Sequence, residues 1–211
     1  SCRSAPPPPT TWYLVVHGRP GPIPLPGGEG DTAMTRVIEI RTPEEQERWG
    51  AGTLPPLDPL DLLRHVPDTH VILRGHDGGP VARCSLWWSR TPTLPGQRVG
   101  LVGHYAARGV GAARRLLAHA CERLAAHACT LAVGPIDGST WRRYRLIVER
   151  GTEPAFFLEP DNPDDWPAQF RAGGFTPTPN RSSETSWRMD PPELTTTVDS
   201  PTSQSSRIAR T

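Results

Sequence analysis

Arg98-Val99-Gly100-Leu101-Val102-Gly103-His104-Tyr105 is followed, after Ala106 and Ala107, by Arg108-Gly109-Val110-Gly111-Ala112-Ala113. The first segment reads as a strand, and residues 114 to 127 read as an amphipathic helix. Between them lies a turn of small residues. Such a turn leaves backbone N–H groups free at the positive end of the helix dipole, which makes an anion site, most naturally for phosphate. Gly109 and Gly111 let the backbone approach a bulky anion and take angles that other residues resist.

In the helix, Ala113, Leu116, Leu117, Ala120 and Leu124 recur at helical spacing and mark the buried face, while Arg115, Glu122 and Arg123 fall elsewhere. Cys129-Thr130-Leu131-Ala132-Val133-Gly134 then reads as a buried strand. A strand–helix–strand unit from Val99 to Val133 implies a right-handed crossover and parallel pairing. Upstream, Val37 to Ile40 is a short strand. Thr42-Pro43-Glu44-Glu45 opens a helix reaching Trp49, with a capping residue, Pro at the first position and acids in the first turn. A short helix is expected at Leu60 to His65. Val71 to Leu73 and Val81 to Trp88 are strands joined by a hairpin at Asp77-Gly78-Gly79. Trp87 and Trp88 adjoin, so they point to opposite faces. These elements make an α/β (α+β) fold, a mixed, mostly antiparallel sheet flanked by helices.

Composition divides the chain into three. Of 26 prolines, eight fall in residues 1–33, including Pro6 to Pro9, so this stretch reads as extended or disordered. Met34 reads as the natural start of the domain. Gly27-Gly28-Glu29-Gly30 just before it would be encoded by purine-rich codons like a ribosome-binding site, and the chain starts with Ser1, so it reads as a fragment or as an over-extended reading frame in which residues 1–33 are not natively translated. A polyproline ligand for a partner is the other reading of that head. Residues 34–180 form the globular domain. Residues 181–211 hold 13 Ser or Thr and little apolar material, and read as a disordered tail or as a frameshifted or truncated end.

The segment 108–113 resembles the R-x-x-G-x-A pyrophosphate loop of GCN5-related N-acetyltransferases, which hold acyl-coenzyme A there. Trp166-Pro167-Ala168-Gln169-Phe170-Arg171-Ala172-Gly173-Gly174-Phe175 is similar to the closing helix and Gly-Phe strand start of the same family, with Asp164 or Asp165 as its cap. Gly134 to Arg145, with Phe156 to Pro163, resembles an insertion found in an atypical branch. The resemblance implies acetyl-CoA as cosubstrate, no metal, and transfer of the acetyl group to an amine-bearing small molecule or protein. It places Gly103, His104, Tyr105, Arg108, Gly109, Val110, Gly111, Ala112 and Ala113 on the cofactor. The pantetheine would lie in a gap between the strand ending at Tyr105 and the strand ending at Val133. A backbone N–H near Gly103 to Tyr105 would polarise the thioester carbonyl. Many members carry a tyrosine acid four residues before the Gly-Phe pair; here that position is Phe170, so the usual acid is missing.

His104 is a candidate base, since an imidazole near its ordinary pKa of about 6.5 suits removal of an amine proton; a structural histidine in a strand is the alternative. Glu159, Asp161 and Asp137 are carboxylate candidates for that work. Ser139 is expected to cap a helix bearing Trp141 and Tyr144, which makes Tyr144 a substitute acid or else a core-edge tyrosine. Arg142, Arg143 and Arg145 around two aromatics suggest nucleic acid, a salt-bridged face, an acidic acceptor or the CoA 3′-phosphate. A net charge of +1 without a second basic patch argues against nucleic acid. No apolar run approaches the ~20 residues of a membrane span. Cys84 and Cys129 are expected in strands and Cys121 in the helix, as buried free thiols of a cytoplasmic protein. The alternatives to an acetyltransferase are a catalytically degenerate acyl-CoA-binding or regulatory module, and a Pro-rich interaction protein.

Overall fold

Residues 11–17, 36–50, 52–148 and 161–179 are described by the computed structural model, and all belong to one compact unit. In chain order they form β1 (Thr11–His17), β2 (Arg36–Ile40), α1 (Pro43–Gly50), α2 (Leu60–His65), β3 (Thr69–Arg74), β4 (Pro80–Trp87) and β5 (Thr93–Leu94). There follow β6 (Gln97–Ala107), α3 (Gly109–Ala126), β7 (Leu131–Gly134), β8 (Leu146–Ile147), α4 (Trp166–Ala172) and β9 (Thr176–Pro179). The strands make a mixed sheet in the order β2-β3-β4-β6-β7-β1-β8, with β5 on β6 and β9 on β1.

Local sequence explains most of these elements. Glu45 N–H donates to Thr42 Oγ1, and Arg41 N–H donates back to Glu45 Oε2, a reciprocal cap that starts α1. The Asp77-Gly78-Gly79 turn closes with Gly75 N–H donating to the Gly79 carbonyl, and a one-residue register shift between Leu73 and Arg74 then brings Val71 opposite Cys84 and His70 opposite Ser85. β6 and β7 pair in parallel, Val99 with Leu131 through Leu101 with Val133, as the intervening helix requires. The other strand pairs are antiparallel.

The expected face of α3 is the buried one, with Cys121 added to it. It packs on Val71, Leu73, Ala82, Cys84, Leu86 and Val102, and α4 adds Trp166 and Phe170. Full burial of Leu116, Leu117 and Leu124 contributes about 1.5–3 kcal/mol each. On the opposite sheet face, Ile40, Leu62 and Ile72 form one cluster and Trp87, Val99, Leu101, Leu131 and Ile136 another. Trp87 therefore faces away from α3, while Trp88 packs against the α3 side and stacks on His127 at 3.9 Å.

Some expectations need correction. Thr11–His17, inside the stretch read as extended or disordered, is a strand pairing with β7, β8 and β9. The rest of 1–33, and the tail 181–211, lie outside the described residues. Ser139 caps no helix: Trp141 N–H donates to its Oγ and Arg142 N–H to its carbonyl, a local turn. Asp165 stands at the N-cap of α4 without a side-chain cap bond; its carboxylate accepts from Gln169 Nε2 instead. Cys129 precedes β7 rather than belonging to it.

Candidate functional site

At the β6–α3 turn Arg108 is extended and its N–H donates to the Val81 carbonyl. Gly109 follows with φ +74°, a left-handed backbone in which a Cβ is strained even though open space surrounds it. No side chain caps the helix, which leaves the amides of Gly109, Val110 and Gly111 without a capping partner. A cleft of about 460 Å³ is lined by Gly75, His76 and Asp77 of the β3–β4 turn, by Arg108 just before α3, and by Gly111 and Arg115 of α3. Asp77, the carboxylate there, accepts the Gly79 N–H. Ala112 also lines this cleft. Ala113, expected on the cofactor, is instead fully buried in the core, because it falls on the inward stripe of α3.

Further back along β6 the strands part differently from expectation. β7 ends at Gly134, but the chain returns to β6 at once, with Ile136 N–H donating to the Val102 carbonyl. A Cβ on Gly103 would run into the Ile136 carbonyl, so glycine permits this close approach. The next amide, that of His104, donates to Asp137 Oδ1 at 2.6 Å. The expected gap beside Gly103 is thus filled by Ile136 and Asp137, and the amide expected to face a thioester already has an acceptor. Tyr105 is not lining this gap. Its ring sits in the core against Trp166 and Phe170, and its hydroxyl donates to Gln169 Oε1.

His104 has φ +47°, at an irregularity where β6 carries an extra residue opposite β4. The irregularity sends its ring to the face away from α3, into a chain of hydrogen bonds. His65 Nδ1 lies 2.7 Å from His104 Nε2, His104 Nδ1 lies 2.8 Å from Ser85 Oγ, and Ser85 Oγ lies 2.7 Å from His70 Nδ1. His65 is the outer end, its Nε2 3.9 Å from Asp61 Oδ1. His70 is the sealed end, its Nε2 without a partner. The chain is satisfied in one direction when His70 Nδ1–H donates to Ser85, Ser85 to His104, and His104 Nε2–H to His65. This puts the remaining His65 N–H toward Asp61 and leaves a bare lone pair on His70, which costs less than a bare N–H. A proton arriving at His65 Nδ1 reverses every donor in the chain.

Electrostatics hold these rings neutral. Burial first, then His65 and the guanidinium groups of Arg83, Arg142 and Arg143, pulls the His104 pKa down to about 3. Burial likewise holds His70 well below the ordinary range, and burial with Arg142 lowers His65. Burial raises the Asp137 carboxyl, against the His104 N–H bond and Arg143. Trp87 fixes the assembly: its Nε1–H donates to the His65 carbonyl and its ring meets His104 edge-on at 5.3 Å.

Of the expected catalytic residues, His104 lies in this cluster together with Asp137. Tyr144 is half-buried against the Trp87–Leu101–Ile136 cluster, with the Arg145 guanidinium 5.0 Å from its ring centre. Glu159 lies outside the described residues. Asp161 is exposed and accepts the Asn162 N–H. His65, His70, Ser85 and Arg83 were not singled out from the sequence. The hairpin turn at 77–79 does not carry the missing signal alone, because the register shifts by one residue between Leu73 and Arg74 before His70 meets Ser85; Arg83, Ser85 and Trp87 then alternate onto one face.

Cys84, Cys121 and Cys129 are free and buried, and burial raises each thiol, Cys121 to about 12. Among the described residues no group of three or more His, Cys, Asp or Glu is placed to hold a metal ion, and no helix is long and apolar enough to cross a membrane. Comparison with protein-family models, with curated proteins and with solved structures gives no match.

Proposed function

We propose that this chain is an acetyl-CoA-dependent N-acetyltransferase of the GCN5-related kind. The observation that carries the reading is the uncapped start of α3. The Gly109, Val110 and Gly111 amides lie in an uncapped first turn, Gly111 and Arg108 line a cleft there, and the strand before that helix pairs in parallel with the strand after it. Those amides would hold the diphosphate of the carrier. The acceptor amine attacks the thioester carbonyl carbon, the C–S bond breaks, and the sulfur leaves as thiolate to be protonated from solvent, since Phe170 has no proton to give. The amine proton goes to His65, the outer end of the chain through His104 and Ser85 to His70. His104 orients that imidazole and, with its low pKa, is not itself the base. Polarisation of the carbonyl by the His104 N–H requires the Asp137 carboxylate to give way.

A second reading, an acyl-CoA-binding module without turnover, is favoured by that Asp137 contact and by the complete burial of Phe170. Calorimetry of the full chain with acetyl-CoA tests what both readings share. Binding is expected in the micromolar range, about −8 kcal/mol, and is lost in Gly111→Asp, whose carboxylate faces the anion. Equal heats from both proteins overturn the loop assignment. Release of free thiol in the presence of amines then separates the transferase from the silent module.

A further inference from the structure

Arg83 is the one arginine among the buried described residues, 5% exposed. Its strand neighbours Ala82 and Cys84 belong to the core under α3, so its side chain leaves on the opposite face, with Ser85 and Trp87. Its Nε is sealed without a hydrogen-bond partner, and no carboxylate pairs with it among the described residues. The two terminal nitrogens are not among the sealed, unpaired atoms, so the fork keeps an opening. Burial first, then Arg143, lowers its pKa to about 10, which leaves it charged at neutral pH. A buried charge without a partner is strongly unfavourable.

The surroundings increase the imbalance. Arg143 is close enough to depress Arg83, and both depress His104. Arg142 spends its guanidinium on the carbonyls of Asp137 and Arg64. Among the described residues Asp137 is the carboxylate that acts on Arg83, and its Oδ1 is taken by the His104 N–H. Along β4, Arg83 stands two residues from Ser85, about 7 Å on the same face, which sets the fork beside the Ser85–His104 pair. Trp87, Leu101 and Tyr144 belong to the neighbouring apolar cluster.

We propose that Arg83 receives the carboxylate of an amino-acid-like acceptor, whose amine then points toward the His104–His65 end of the hydrogen-bonded chain. The planar guanidinium fork matches a carboxylate bidentately, and a single fork without backbone amides suits a carboxylate better than a phosphate. The ligand's role as acceptor rests on the acetyltransferase reading; the carboxylate site itself does not.

The test is calorimetry of the full chain with the standard L-amino acids, the matching α-carboxamides, inorganic phosphate and acetyl-CoA as separate arms. At least one amino acid is expected to bind, and its amide about tenfold or more weaker. Arg83→Gln is expected to lose that discrimination while keeping acetyl-CoA binding. Arg83→Met, free of the unpaired charge, is expected to melt higher than wild type without ligand. Acids and amides binding alike, no amino acid binding at millimolar concentration, or phosphate binding in their place overturns the proposal. Should either variant fail to fold, the acid–amide comparison on wild type decides. Amino-acid binding without acetyl-CoA binding leaves the carboxylate site standing and removes the transferase reading.

Discussion

The backbone N–H of His104 and the side chain of Asp137 are joined by a 2.6 Å hydrogen bond across the line where β6 and the segment after β7 meet. The bond ties the β6 irregularity to the returning chain. It also occupies the amide that would polarise the thioester carbonyl in the transferase reading. Asp137→Ala is expected to leave that buried N–H bare and to cost about 1.5–3 kcal/mol of stability, read as a lower urea midpoint. Acetyl-CoA should raise the melting temperature of the variant more than that of wild type, because the carbonyl no longer competes with a carboxylate. An equal or smaller rise shows that the amide takes no part in binding the thioester.

Acid should unfold this protein earlier than a neutral core would suggest. His65, His70 and His104 all titrate below the ordinary value of 6.5 when folded, His104 at about 3. The unfolded chain therefore takes up protons that the folded one refuses. Stability falls as pH drops from about 6.5 toward 3, by about 1.4 kcal/mol per pH unit for His104, and His65 and His70 act in the same direction. Asp137, raised by burial, acts with the opposite sign and offsets part of the loss. His104→Asn, whose amide tolerates the left-handed backbone, is expected to flatten the slope between pH 7 and 5 in urea titrations. An unchanged slope means that His104 is not the group responsible.

Ser85 is fully buried and serves two imidazoles at once. Ser85→Ala leaves both Nδ1 atoms unpaired and should cost about 2 kcal/mol or more. Nitrogen NMR of the wild type should find His70 protonated on Nδ1 and His104 on Nε2 at pH 7.5. The reverse tautomers would mean that the chain already runs the other way with His65 neutral.

The hairpin and the parallel pair were within reach of the sequence; the register of this site was not, because it shifts by one residue between Leu73 and Arg74 and again between Arg83 and Ser85. Asp77-Gly78-Gly79 sets the hairpin, and the strand–turn–helix at residues 98–127 sets the parallel pair, because turn chemistry and periodicity act over short spans. The left-handed His104 does not follow from its residue type; it depends on an extra residue in β6 that only pairing with β4 reveals. The burial of Tyr105 follows from the same irregularity, which reverses the expected alternation. Ile136 and Asp137 fill the space beside Gly103 through a tertiary contact that spacing does not encode. Nothing in the sequence sets Arg83 apart, and only its burial turns it into a signal.

Phe170→Tyr tests whether the missing family acid can be restored by one substitution. Phe170 is fully buried between Tyr105 and Phe175. A hydroxyl there enters a packed apolar site and is expected to cost about 1–3 kcal/mol with no gain in thiol release. A faster enzyme would place that ring at the reacting sulfur.

β1 has neighbours along both edges. Leu14 faces Gly134 on one side and Pro177 on the other, and Trp12 likewise faces Leu146 and Pro179. A chain begun at Met34 would withdraw this strand from the interior of the sheet, leaving raw ladders on β7 and β9 with nothing between them. Two such truncated molecules have reason to cling to each other, so an aggregate or a strand-exchanged pair would report the lost strand rather than a natural assembly.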